Sequence, residues 1–260
     1  MPTALVTGAS SGIGQACAVR LVRSGWRVLG GVRRTGEAPA GTEEVLLDVT
    51  DPEQIRSAAE GVDELAGLVN NAGIAVAAPL EFLPPDDLRR QLDVNVIGQV
   101  AVTQAFLPAI RRGRGRVVFI GSIAGRSALP FLGAYAASKH ALEAVADSLR
   151  VELRPFGIAV SIVQPGSIKT PIWTRDRPDP SEEAMALYGE RIEAFRRIAL
   201  KRGSTGAPPE AVAKVVEEAL TAERPHTRYL VGRDAKLRAG FERLPDRLRD
   251  RIYERVLLRG

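Results

Sequence analysis

Short apolar runs alternate with longer amphipathic segments along the chain. The runs lie at residues 4–7, 27–32, 45–48, 65–70, 116–121, 158–164 and 228–231, each short and rich enough in valine, isoleucine and leucine to be a strand. Between them, apolar residues recur at helical spacing over 12–24, 52–59, 86–112, 133–154 and 208–222. Strands such as Val117-Val118-Phe119-Ile120 have no polar face to give to water, so they suit a parallel sheet covered by helices on both sides. The expected architecture is a single doubly wound α/β domain over residues 1–260, with a seven-stranded parallel sheet. Ligands of such sheets bind beyond the carboxyl ends of the strands, so residues just after each apolar run are the candidates for chemistry.

Two stretches interrupt the alternation. Residues 174–205 open with Arg175-Asp176-Arg177-Pro178-Asp179-Pro180 and continue as a helical pattern, which is expected to form an inserted substrate lid. In the tail, 234–260, Leu244, Leu248, Ile252, Val256 and Leu257 recur at helical spacing among arginines, and a docked amphipathic helix is expected. Glu242, Asp246, Asp250 and Glu254 dilute its basic face and disfavour a membrane-surface role.

Composition changes this picture little. A formal net charge of +5 raises the question of nucleic acid, but the arginines are scattered, sit beside acids and lack interleaved aromatics, so no nucleic-acid partner is expected. No run approaches the roughly 18 apolar residues of a membrane helix, and the chain enters its first strand pattern without an export leader. A cytoplasmic location is expected. Cys17, the one cysteine, falls on an apolar helix face and is read as packing. His140 and His226 are dispersed, so no metal site is expected.

The segment Thr7-Gly8-Ala9-Ser10-Ser11-Gly12-Ile13-Gly14 follows the first strand and opens the first helix. Glycine lets this backbone turn tightly against a pyrophosphate, the helix amino end offers unpaired amides to it, and Ser10 and Ser11 add hydroxyl donors. The spacing, T-G-x-x-x-G-x-G, resembles that of the short-chain dehydrogenase/reductase family, and further marks follow in order from residue 3 to about 172. They are Asp48, in Leu46-Leu47-Asp48-Val49; the turn Asn70-Asn71-Ala72-Gly73; Asn95; Ser122; Tyr135 and Lys139; and Pro165-Gly166-Ser167-Ile168-Lys169-Thr170. The resemblance implies a Rossmann-type domain with a nicotinamide dinucleotide against Gly8, Ser10, Ser11, Gly12, Ile13, Gly14, Asp48, Val49, Asn71, Ala72, Gly73, Pro165, Gly166, Ile168 and Thr170.

The same resemblance implies that Asn95, Ser122, Tyr135 and Lys139 are catalytic. Tyr135 and Lys139 are four residues apart on a helix and share a face. An ammonium about 4 Å from a phenol, at an effective dielectric near 20, contributes on the order of 4 kcal/mol. That would bring tyrosine from its usual value near 10 toward about 7, with burial opposing the change. Ser122 would hold the substrate oxygen, Lys139 the nicotinamide ribose, and Asn95 a water leading from the lysine to solvent. His140 is turned about 100 degrees from that face and is read as packing.

At the end of the second strand, Val32 stands where an acid would accept the ribose hydroxyls, and Arg33 and Arg34 follow it. These arginines suit a 2′-phosphate, so NADP(H) is expected over NAD(H). Leu129, Phe131, Leu132, Ile172, Trp173, Tyr188 and Phe195 are candidate substrate walls, with Ser122 and Tyr135 at the reacting oxygen. Similarity to hydroxysteroid and retinol dehydrogenases points to a hydrophobic alcohol or its ketone or aldehyde. A 3-ketoacyl thioester or small-carbonyl reductase is the competing enzyme, and a non-catalytic NADP(H)-binding regulator the competing class. The family implies a homodimer or homotetramer, through the helices expected at 86–112 and 133–154.

Overall fold

The computed structural model describes residues 1–173, 179–242 and 244–255. Its sheet has seven parallel strands in the order β3-β2-β1-β4-β5-β6-β7. These are β1 (Thr3–Thr7), β2 (Arg27–Val32), β3 (Glu43–Leu46), β4 (Gly67–Asn70), β5 (Arg116–Ile120), β6 (Ala159–Pro165) and β7 (Arg228–Val231). Strand order grows one way from β1 to β3 and the other way from β4 to β7, so a crevice opens where β1 and β4 lie side by side.

Successive side chains of a strand point to opposite faces, which explains why these strands are apolar throughout. Ala4 and Val6 enter one core with Cys17 and Leu21 of α1 (Gly12–Arg23) and Val212 and Val216 of α7 (Pro209–Thr221). Leu5, between them, enters the opposite core, together with Val102 and Phe106 of α4 (Gly98–Arg112) and Leu142 of α5 (Gly133–Glu152). The same second core takes Ile55 of α2 (Pro52–Glu60), a helix started by Asp51, whose carboxylate accepts from the amides of Glu53 and Gln54.

Three elements depart from the sequence reading. The edge strand β3 begins at Glu43, two residues early, because its exposed position tolerates Glu43 and Glu44 that an apolar pattern passes over. The helix expected over 86–112 is interrupted: α3 (Pro85–Leu92) gives way to a π turn, Asp93–Ile97, before α4 begins. The tail forms two short helices, α8 (Arg233–Phe241) and α9 (Asp246–Tyr253), divided before Pro245, which disfavours helix in the residue it follows.

The segment expected as a lid contains α6 (Glu182–Thr205), whose first turn is capped by the Ser181 hydroxyl and carries Glu182 and Glu183. Residues 174–178 of that segment, and Val256 and Leu257 of the tail, lie outside the described residues. Among the described residues no helix is long and apolar enough to cross a membrane, and no group of His, Cys, Asp or Glu could hold a metal.

Candidate active site

A cavity of about 1230 Å3 runs along the carboxyl ends of the strands. Its floor is the turn between β1 and α1. Gly8 and Gly12 have φ of 65° and 58°, a region costly for residues with a side chain. Gly14 does not line the cavity; it lets the first turn of α1 close on that loop, because a Cβ there would stand 2.2 Å from the Gly8 carbonyl oxygen. Ser10, Ser11, Gly12 and Ile13 face the cavity, as do Asp48, Val49, Ala72 and Gly73. Asp48 is oriented by Thr50, whose amide and hydroxyl donate to its Oδ1 at 2.9 and 2.7 Å.

The loops after β1 and β4 are tied together. Thr7 Oγ1 accepts from the amides of Asn71 and Ala72 at 2.9 and 3.0 Å, and Asn71 Nδ2 donates back to the Thr7 carbonyl at 2.9 Å. Asn71 therefore lines the cavity while its amide nitrogen clasps the glycine turn.

Farther along, three buried amides four residues apart hold the β4 exit from α3, the π turn and α4. Gln91 accepts from Val76 N at 2.7 Å and donates to Ile74 O at 2.9 Å. Asn95 accepts from Ile74 N at 2.9 Å and donates to Ile74 O and to Ser138 Oγ, each at 3.0 Å. Gln99 donates to Ala72 O at 2.8 Å. Sequence reasoning found Asn95 and missed Gln91, Gln99 and Ser138, although the four-residue spacing of polar groups on an otherwise buried face was visible. Asn95 does not line the cavity; its described partners are backbone and Ser138.

Ser122, Tyr135 and Lys139 meet at the cavity. Ser122 follows β5 by two residues, and its hydroxyl accepts from Ala124 N at 3.1 Å. Tyr135 and Lys139 come one turn apart from α5, with the Lys139 Nζ 5.8 Å from the phenol ring centre. That ammonium donates to Ile120 O at 2.8 Å. Burial pushes the Lys139 ammonium down to about 8, opposed by the negative charge of Glu143. Glu143 in turn is gripped by Gln164 at 2.7 Å and Arg228 at 3.0 Å.

The tyrosine corrects an expectation. Burial holds the Tyr135 phenol above its ordinary value, and the opposing influences are a hydrogen bond from Ser122 and the charge of Arg238, not Lys139. The lysine is itself desolvated and committed to a backbone carbonyl, so the aqueous-like Coulomb sum overstated its pull. Without cofactor Tyr135 is a protonated acid at neutral pH.

Arg33 lines the cavity at the end of β2, directly after Val32. Arg34 does not; it turns outward and faces Glu37 at 3.8 Å, since neighbouring residues leaving a strand point to opposite sides. At the other end Pro165, Gly166, Ile168, Thr170, Ile172 and Trp173 complete the wall, and the Trp173 ring stands edge-on to Tyr135 at 5.8 Å. Leu129 and Phe131 are not on that wall. They form an apolar cluster behind Tyr135 with Leu132, Phe195 and Ala199, where Phe131, at φ 65°, turns its ring toward Phe195 and Tyr188. His140 is exposed on the far side of α5, its Nδ1 2.8 Å from Ala136 O, so it takes no part in packing or in the site. His226 is exposed in its loop, and Cys17 is buried, its thiol pushed up to about 12 by burial.

Comparison with known proteins agrees with this geometry. The short chain dehydrogenase family matches residues 2–181. An NADPH-dependent 3-dehydrocapnine reductase of Ornithobacterium rhinotracheale is 35% identical over 99% of this chain and 98% of its own. Mouse retinol dehydrogenase 5 is 38% identical over 89% of this chain and 81% of its own. Among solved structures, a short chain dehydrogenase from Burkholderia cenocepacia J2315 in complex with NADP superimposes with a TM-score of 0.77, at 28% identity, covering 99% of this chain and 97% of that one. The chain belongs to the short-chain dehydrogenase/reductase family, whose members are oxidoreductases of alcohols and carbonyl compounds.

Proposed function

We infer that the protein is an NADP(H)-preferring reductase of hydrophobic ketones or aldehydes, able to run in reverse on the alcohols. The observation that carries this reading is Tyr135: a buried phenol, bonded by Ser122 and followed one turn later by Lys139, at a cavity floored by the glycine turn. The residues present fit a dinucleotide, because Gly8 and Gly12, at positive φ and packed tightly against Ala72 and Thr170, let the turn bring its backbone to the cavity at the amino end of α1, where a pyrophosphate would meet the first amides of that helix. Arg33 and Asp48 would hold the adenosine end, Ser10, Ser11 and Ile13 the phosphates, and Lys139, Ile168 and Thr170 the nicotinamide end.

The cofactor, when bound, supplies hydride for carbonyl reduction. Tyr135 donates its proton to the oxygen of the reacting carbonyl, and Ser122 holds the same oxygen and then favours the phenolate left behind. Lys139, fixed by Ile120 O one turn after Tyr135, would hold the nicotinamide end of the cofactor, and Asn95 holds the Ile74 loop and Ser138 of α5 in register. Arg33 in the cavity wall, with no acid at Val32, supports NADP(H). The apolar walls at Ile172 and Trp173 support a hydrophobic substrate, as do the names of relatives that reduce or oxidise such compounds. A non-catalytic regulator would bind NADPH and never consume it. Loss of NADPH absorbance with a panel of hydrophobic ketones tests the reading, and Tyr135→Phe should cut kcat by roughly a thousandfold while leaving NADPH binding in place.

A further inference from the structure

The loop that leaves β6 is tied down almost residue by residue. Gly166 N donates to Val231 O at 2.9 Å, Ser167 O accepts from Ala207 N at 2.9 Å, and Lys169 N donates to Ala207 O at 3.0 Å. The first bond prolongs the pairing of β6 with β7, and the other two join the loop to the junction between α6 and α7. Ser167 N, between them, donates to a side chain instead: Asp234 Oδ2, at 2.7 Å.

Asp234 stands in the first turn of α8, half-buried, 67 residues farther along the chain. Its carboxylate lies against Gly166, where a Cβ would be 2.2 Å from Oδ1 and 2.6 Å from Oδ2, far inside contact distance. A Cβ on Gly232, where β7 turns toward α8, would likewise meet Oδ1 at 2.8 Å. Two glycines thus make room for one carboxylate. Arg238, one turn later, supplies the opposite charge. Gly166 lines the cavity with Pro165, Ile168 and Thr170, whereas Asp234 stands behind that wall and does not. A loop of glycine and serine has many conformations to lose when it binds a ligand, and a charge-assisted bond to its backbone removes part of that loss beforehand.

We propose that Asp234 is a positioning residue for the cofactor: from behind the cavity wall it fixes Gly166 and Ser167, so that Ile168 and Thr170 offer a preformed seat to the nicotinamide end. The C-terminal segment then takes part in cofactor binding without touching the cofactor. The assignment rests on the reading of this loop as the holder of the nicotinamide, and it deepens that reading by naming the group that holds the loop. It also explains why residue 166 has no side chain, since any Cβ would displace the carboxylate.

Calorimetric titration of the full chain with NADPH and with ADP-ribose 2′-phosphate, the same molecule without its nicotinamide ring, tests this without requiring turnover. Asp234→Ala should weaken NADPH roughly tenfold to a hundredfold, and ADP-ribose 2′-phosphate by less than about twofold. Asp234→Asn, which keeps an acceptor for Ser167 N and loses the charge, should recover much of the loss, leaving NADPH weakened about threefold to tenfold. Gly166→Ala should match Asp234→Ala when made alone, and should add less than about threefold on top of it, because the shortened side chain no longer meets the new methyl. Equal losses for both ligands in Asp234→Ala and Asp234→Asn are the mark of general damage to the fold and overturn the proposal. A wild type that binds NADPH no more tightly than the ring-less molecule overturns the reading of the loop as a nicotinamide seat, and the assignment with it. A wild type that gains from the ring, beside an Asp234→Ala variant that gains as much, overturns the assignment alone.

Discussion

Under the glycine turn the cavity is held by directed hydrogen bonds, whereas beyond Tyr135 it is held by apolar contact. In the first region Thr7, Asn71, Gln91, Asn95 and Gln99 each bond to backbone, so loops far apart in sequence are fixed to within a hydrogen bond's tolerance. In the second, Trp173, Phe195, Leu129 and Phe131 touch through rings and methyl groups that can repack. A cofactor common to many enzymes needs the rigid half. A substrate peculiar to one enzyme needs a half that sequence change can remodel cheaply.

The sharpest contrast should come from one substitution in each half. Asn95→Leu strands the Ile74 amide and takes one of two partners from the Ile74 carbonyl and from the Ser138 hydroxyl, so it should cost about 3 kcal/mol and lower Tm by roughly 6–12 °C, with NADPH binding and kcat falling together. Phe195→Ala should cost a comparable amount, about 3 kcal/mol, while raising KM for hydrophobic ketones roughly tenfold and sparing NADPH binding. Thermal melts and steady-state kinetics on the pair decide it; equal damage to cofactor binding from both would erase the distinction.

Within the cofactor half, Arg33→Ala should weaken NADPH by roughly tenfold to a hundredfold and leave NADH nearly unchanged in a fluorescence titration, whereas Arg34→Ala should affect neither. Equal losses for the two cofactors from Arg33→Ala would remove the basis for NADP preference. The smallest effect concerns pH. Burial lowers folded Lys139 to about 8 from the ordinary 10.5, so the folded protein holds fewer protons there than the unfolded chain between those values. Its contribution to stability therefore rises with pH across that window, the penalty being complete below it. NADPH affinity should do the opposite, declining through pH 8 by at most about tenfold per unit as the ammonium is lost. A flat binding profile from pH 7 to 9.5 in wild type would show that the lysine keeps its proton.

The seven parallel strands and the glycine turn were legible because parallel strands buried on both faces leave unbroken apolar runs, and because Gly8 and Gly12 answer a backbone demand that few other residues can meet. The meeting of Ser122, Tyr135 and Lys139 was legible by order and helical spacing. What was hidden depended on direction or balance. Adjacent arginines at a strand end look alike in sequence, yet only Arg33 faces the cavity. The competition between burial and charge at Tyr135 turns on partners from distant segments, Ser122 and Arg238, that no local pattern joins. Pro245 marks the break in the tail that the expectation of one amphipathic helix passed over, whereas nothing punctuates the chain at Asp93–Ile97.

That wide turn sets a limit on how the chain can vary. Side chains four residues apart on a straight α-helix drift about 40 degrees per step, so Gln91, Asn95 and Gln99 would fan away from the one loop they serve. A turn that advances less per residue takes up the drift and aligns all three. Deleting or inserting one residue between 92 and 98 would throw the amides out of phase, which makes this stretch a fixed-length spacer even where its surface residues, such as Ile97, are free to change identity.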